Sequence, residues 1–79
     1  MEKLLELLSE LRPDLDFSAE NRLIDDGVFD SFDIITAVTE MNEEFDVRIN
    51  VADLTPENMN SATAMWELIT RLRANKSGV

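Results

Sequence analysis

Few side chains in this sequence can do covalent chemistry. The 79-residue chain has no His and no Cys, so imidazole and thiol chemistry are missing from the protein itself. Hydroxyls remain, and one stands apart: Ser31 in "GVFDSFDIITAVTEMNEEF", between Asp30 and Phe32 at the start of an amphipathic run. A serine hydroxyl is a weak nucleophile unless a positioned base activates it. Lys3 and Lys76, the only lysines, lie near the two ends of the sequence, so a Ser–Lys dyad is not expected. Ser31 therefore reads as a substrate of another enzyme, and the chain as no enzyme itself.

Two readings of this helix start are open. Asp30 can be the N-cap, with Asp33 three residues on complementing the positive end of the helix dipole. Ser31 then occupies the first helical position and points outward. Alternatively Ser31 is the cap and Asp30 a loop acid. Phe32 reads as a contact residue at the rim, with a buried ring as the other possibility.

The elements that must position Ser31 follow from periodicity. Met1, Leu4, Leu5, Leu8 and Leu11 are spaced for an amphipathic helix that Pro13 closes. Residues 13–29 form a long connection in which Leu15, Phe17, Leu23 and Phe29 can pin to a core, "SAENRL" can make a helical turn and Asp26-Gly27 signals a turn. A second helix is predicted from Ser31 to Phe45, burying Ile35, Val38, Met41 and Phe45 with Ile34 on the flank. Residues 51–59 suggest a short helix interrupted by Pro56. Asn60 or Ser61 then caps a last helix carrying Ala62, Met65, Trp66, Ile69 and Leu72 on one face. The fold class is all-α, a small bundle of three main helices and a minor one, with a single domain over residues 1–72 and a frayed tail over 73–79.

Charge limits the partners. The net charge is −10, which argues against nucleic acid and anionic lipid and favours partners with basic surfaces. "MEKLLELLSELRPD" superficially resembles a signal sequence, but Glu2, Lys3, Glu6 and Glu10 interrupt any apolar run. A cytoplasmic location and no membrane association are expected. Between Arg22 and Arg48 the sequence has no base but eight acids: Asp25, Asp26, Asp30, Asp33, Glu40, Glu43, Glu44 and Asp46. Crowding of these acids predicts folded-state pKa values raised above the unfolded ones. Melting temperature is then expected to rise with salt, with divalent cation and as pH falls from 7 towards about 5. "DDGVFDSFD" lacks the ligand spacing of an EF-hand loop, so no metal site is expected.

"LIDDGVFDSFDIITAVTEMNEEFDVRI" resembles the acyl carrier protein family, whose hallmark is Asp-Ser-Leu at the start of the second helix. An acidic amphipathic helix ending in Glu-Glu-Phe follows it there. The likeness extends over residues 1–72, including the long first loop, the short third helix and the capped fourth. It implies a four-helix bundle of acyl-carrier type. It also implies that Ser31 receives 4'-phosphopantetheine from coenzyme A through a separate phosphopantetheinyl transferase. Acyl-loading and acyl-transfer enzymes would then dock by basic patches on a surface including Asp30, Phe32, Asp33, Thr36, Thr39, Glu40 and Glu43. Phe32 departs from the family's commonest Leu, which bears on partner choice. A monomer carrying an acyl thioester is expected. An aminoacyl (D-alanyl or peptidyl) carrier stays open, as does an unmodified helical interaction module in which Ser31 is only a cap.

Overall fold

The computed structural model describes residues 1–77. Four helices occur in the order α1 (Glu2–Leu11), α2 (Ser31–Phe45), α3 (Pro56–Met59) and α4 (Ala62–Ser77), with a 3-10 turn at Val51–Asp53 before α3. No strand occurs among the described residues. Helix α1 packs on α2 and α4, and α3 packs on α4.

Each boundary has a local cause. Arg12 ends α1 with φ −134° and ψ 80°, the extended backbone that a following proline imposes. Asp46 ends α2 in the left-handed region (φ 52°), which a short polar side chain tolerates. Asn42 stays within α2 but turns its Oδ1 to accept from Ile49 N at 3.0 Å, tying the exit loop back. The short or broken helix expected over residues 51–59 is a 3-10 turn followed by α3, and Pro56 does not interrupt a helix but opens α3 at a position needing no N–H. The tail expected from Arg73 is helical as far as Ser77, while Gly78 and Val79 lie outside the described residues.

The core joins all parts of the chain. Leu4 and Leu8 from α1, Ala37 and Met41 from α2, Met59 from α3, and Ala62, Met65, Leu68 and Ile69 from α4 are buried. Phe17, Leu23 and Phe29 come from the long loop, as their spacing predicts. Phe17 and Phe29 meet edge-on, ring centroids 5.8 Å apart. Trp66 is half-buried at the edge and packs edge-on against Phe45 at 5.4 Å. The loop is thus held by three aromatic or aliphatic anchors, and it delivers the chain to the start of α2.

The buried stripe of α2 differs from the predicted one. It runs along Ile34, Ala37, Val38, Met41 and Phe45, whereas Ile35 is 62% exposed. The loop anchors and α1 cover the Ile34–Ala37 side, which rotates Ile35 outward beside Phe32. Periodicity alone allows either rotation, because Ile34 and Ile35 are adjacent.

Candidate functional site

The start of α2 resolves which residue is the cap. Asp30 has extended backbone, and its Oδ1 accepts from Asp33 N at 2.9 Å. In return Asp33 Oδ2 accepts from Asp30 N at 3.4 Å, a reciprocal capping box. Ser31 therefore sits at the first helical position, exposed. Among the described residues its Oγ has no hydrogen-bond partner. The two other serines with described polar contacts are occupied: Ser18 Oγ donates to Asp16, and Ser61 Oγ accepts from Ala64 N.

An apolar and acidic surface surrounds that hydroxyl. Phe32 is 76% exposed, as a rim contact would be, and Ile35 adds a second apolar group that sequence reasoning assigned to the core. Thr39 is exposed and Thr36 half-buried; their hydroxyls donate to the carbonyls of Ile35 and Phe32, one turn back. Glu40 and Glu43 are exposed. Glu40 lies further along α2 and joins Glu6, Glu10, Glu44 and Lys3 around a cleft of about 170 Å³ between α1 and α2.

Asp33 does not belong to this outward set. Its side chain is only 14% exposed and lies 2.6 Å from Arg12 Nη1. The same nitrogen donates to Val28 O at 3.0 Å, while Nε and Nη2 grip Asp14 at 3.0 and 2.9 Å. The hydrogen bonds that Arg12 donates, first to Asp14 and then to Asp33, push its pKa further up. The Arg12 bond in turn holds Asp14 below the ordinary carboxylate range. Asp16 is also held low, chiefly by the Ser18 hydroxyl.

The acidic run is less isolated than its sequence implies. Bases from outside it reach in: Arg12 to Asp33, Arg22 to Asp26 at 3.1 Å and Lys3 to Glu44 at 3.4 Å. Arg22 rises above its ordinary pKa through the Asp26 hydrogen bond. The two carboxylates held below their ordinary values, Asp14 and Asp16, lie outside this run.

Sequence reasoning missed two polar anchors. Arg12 is the only base between Lys3 and Arg22, a signal that it serves the surrounding acids. Asn60, read as a possible helix cap, instead clamps the loop. Its Oδ1 accepts from Ile24 N and Asp25 N at 2.9 and 3.1 Å, and its Nδ2 donates to Asp25 at 3.1 Å.

Comparison with known proteins agrees with this arrangement. The chain is similar to D-alanyl carrier proteins of Streptococcus sanguinis, Streptococcus gordonii and Streptococcus thermophilus. Each is 29% identical over 72 residues, covering 90% of this chain and 91% of the relative. No family model and no solved structure matches the chain. Among the described residues no helix is long and apolar enough to cross a membrane. In its Asp-Ser helix start, its four-helix architecture and its match along nearly the whole length of these relatives, the chain is similar to carrier proteins of the acyl-carrier type.

Proposed function

We propose that Ser31 Oγ is the attachment point of 4'-phosphopantetheine and that the chain presents an acyl group on it to partner enzymes. The observation that carries this reading is the division of labour at α2. Asp30 and Asp33 satisfy the helix start, so the Ser31 hydroxyl stands free at an exposed edge. In the attachment step Ser31 Oγ bonds to the phosphorus of the pantetheine phosphate. The pyrophosphate bond of coenzyme A breaks, adenosine 3',5'-bisphosphate leaves, and the serine proton goes to a base of the transferase. The residues fit the group, since the Ser31 hydroxyl is exposed and has no hydrogen-bond partner among the described residues. When attached, the arm supplies the thiol that a Cys-free chain lacks, on which an acyl group is held as a thioester.

The partner-facing surface in this reading comprises Asp30, Phe32, Ile35, Thr36, Thr39, Glu40 and Glu43. Its partners are the phosphopantetheinyl transferase and acyl-loading and acyl-transfer enzymes with basic docking surfaces. Acids give steering, fast and salt-sensitive, while Phe32 and Ile35 give apolar contact. The carrier acts as a cytoplasmic monomer and leaves catalysis to these partners. A narrower reading has the relatives' printed name behind it: the acyl group is D-alanine.

Incubation with coenzyme A and a broad-specificity transferase tests the attachment. Intact mass should show one added phosphopantetheine, mapped to Ser31; addition at Ser9, Ser18, Ser61 or Ser77 would overturn the assignment. Mass of the loaded protein from its own cells then separates D-alanine from a longer acyl chain. Glu40→Lys and Glu43→Lys should slow transfer to partners at low salt and flatten its salt dependence. Phe32→Leu should change partner kinetics while leaving stability within about 0.5 kcal/mol, as for other exposed positions.

A further inference from the structure

We propose that Arg12, at the end of α1, is a positioning residue for the modification of Ser31; this rests on the attachment reading above. Ser31 lies in the first turn of α2, where backbone N–H groups lack intrahelical partners and fraying is easiest. Arg12 Nη1 holds this turn from both sides. It donates to Val28 O, three residues before Ser31, and to Asp33 Oδ2, two residues after it. The second contact, at 2.6 Å, is a charge-assisted bond to the same oxygen that accepts from Asp30 N. One guanidinium on α1 therefore fixes the loop, the cap and the third helical residue around the reacting hydroxyl. Its remaining nitrogens bind Asp14 and serve the start of the long loop. The two duties fall on different nitrogens, so they can be separated.

In-line attack on a phosphorus depends on where the nucleophile stands, and a small misplacement is costly. Loss of the Arg12–Asp33 contact should therefore lower kcat for the transferase reaction more than it raises KM for the carrier. Among the described residues, the outward docking side chains other than Asp30 make no hydrogen bond to Arg12 or Asp33.

The test is steady-state modification of the full chain with coenzyme A and transferase, below the unfolding transition of every variant. Arg12→Gln should lower kcat by about tenfold or more, with KM within about twofold. Asp33→Ala should act alike, and the double variant should be no slower than the slower single, because both remove the Arg12–Asp33 contact. Arg12→Lys, which keeps charge but loses the fork, should recover part of the rate. Asp14→Ala removes the other half of the fork and should leave kcat unchanged even where it lowers melting temperature. Wild-type kinetics in Arg12→Gln, equal slowing by Asp14→Ala, or additive losses in the double variant would each overturn the proposal. If Arg12→Gln does not fold, the same criteria apply to Arg12→Lys, whose wild-type kcat would refute it. No modification of the wild-type chain would instead refute the attachment reading, and this proposal with it.

Discussion

Two helices in this protein begin with nearly the same dipeptide and use it in opposite ways. Asp30-Ser31 stands at the start of α2 and Asn60-Ser61 just before α4. At α4 the serine caps, its Oγ accepting from Ala64 N at 3.0 Å, and the preceding Asn60 turns away to hold the loop. At α2 the preceding acid caps, and the serine is displaced one position into the helix with its hydroxyl free. A serine at a helix start is thus made available, or consumed, by what its neighbour does. The Asn60 side chain is taken up by Ile24 N and Asp25 N, to which its Oδ1 is the acceptor. Asp30 has no such duty, and Asp33 completes its box.

The largest expected effect breaks this comparison outright. Ser31→Ala should abolish modification while leaving helical circular dichroism intact, since the hydroxyl holds nothing in the fold. Ser61→Ala should leave modification unaffected and cost about 1 kcal/mol of stability, as loss of an N-cap does. Modification surviving Ser31→Ala would mean that the free hydroxyl is incidental.

How much of this was readable beforehand depends on the range of the interaction. Although the choice of cap between Asp30 and Ser31 was not legible, the extent of α2, Ser31–Phe45, was, because its start and stop signals are local. So were the loop anchors Phe17, Leu23 and Phe29, whose size leaves little choice but burial. Ser31 stood out because the chain offers so little other chemistry. The rotation of α2 was not legible, since Ile34 and Ile35 compete for the core and only packing against α1 and the loop decides. The duties of Arg12 and Asn60 were equally hidden. Their partners Asp33 and Ile24 lie 21 and 36 residues away, beyond any spacing rule. The same blindness made the acidic run seem free of bases, although Lys3, Arg12 and Arg22 reach it through the fold.

Asn60→Ala sharpens the comparison from the other side. It removes the acceptor for the half-buried Ile24 N and for Asp25 N, and should cost about 1–2 kcal/mol, more than Ser61→Ala. Denaturant melts followed by Trp66 fluorescence measure both. Equal or reversed costs would mean that Asn60 is the lesser partner in its dipeptide. Amide exchange should show the loss concentrated at residues 24 and 25, because Leu23 N bonds to the Asn60 backbone carbonyl and that bond remains.

The smallest effect concerns a third acid and serine. Asp16 Oδ1 accepts from both the backbone N and the hydroxyl of Ser18, so here the acid consumes the serine's proton instead of freeing it. Those bonds favour the charged carboxylate and hold its folded pKa below the unfolded value of about 3.9. Asp14 is lowered too, by Arg12. A group lowered on folding binds fewer protons in the native state. Its stabilisation is fully present above the unfolded pKa and is lost as pH falls through the folded one. From these groups melting temperature should stay flat between pH 7 and 5 and decline below about 4, the reverse of the rise that acid crowding predicts. Ser18→Ala should move the Asp16 titration, followed by side-chain carboxyl NMR shifts, back up towards the ordinary value. The same change should leave Ser31 modification untouched. A melting temperature that climbs steadily from pH 7 to 5 would show that repulsion among the unpaired acids of α2 outweighs these bonds.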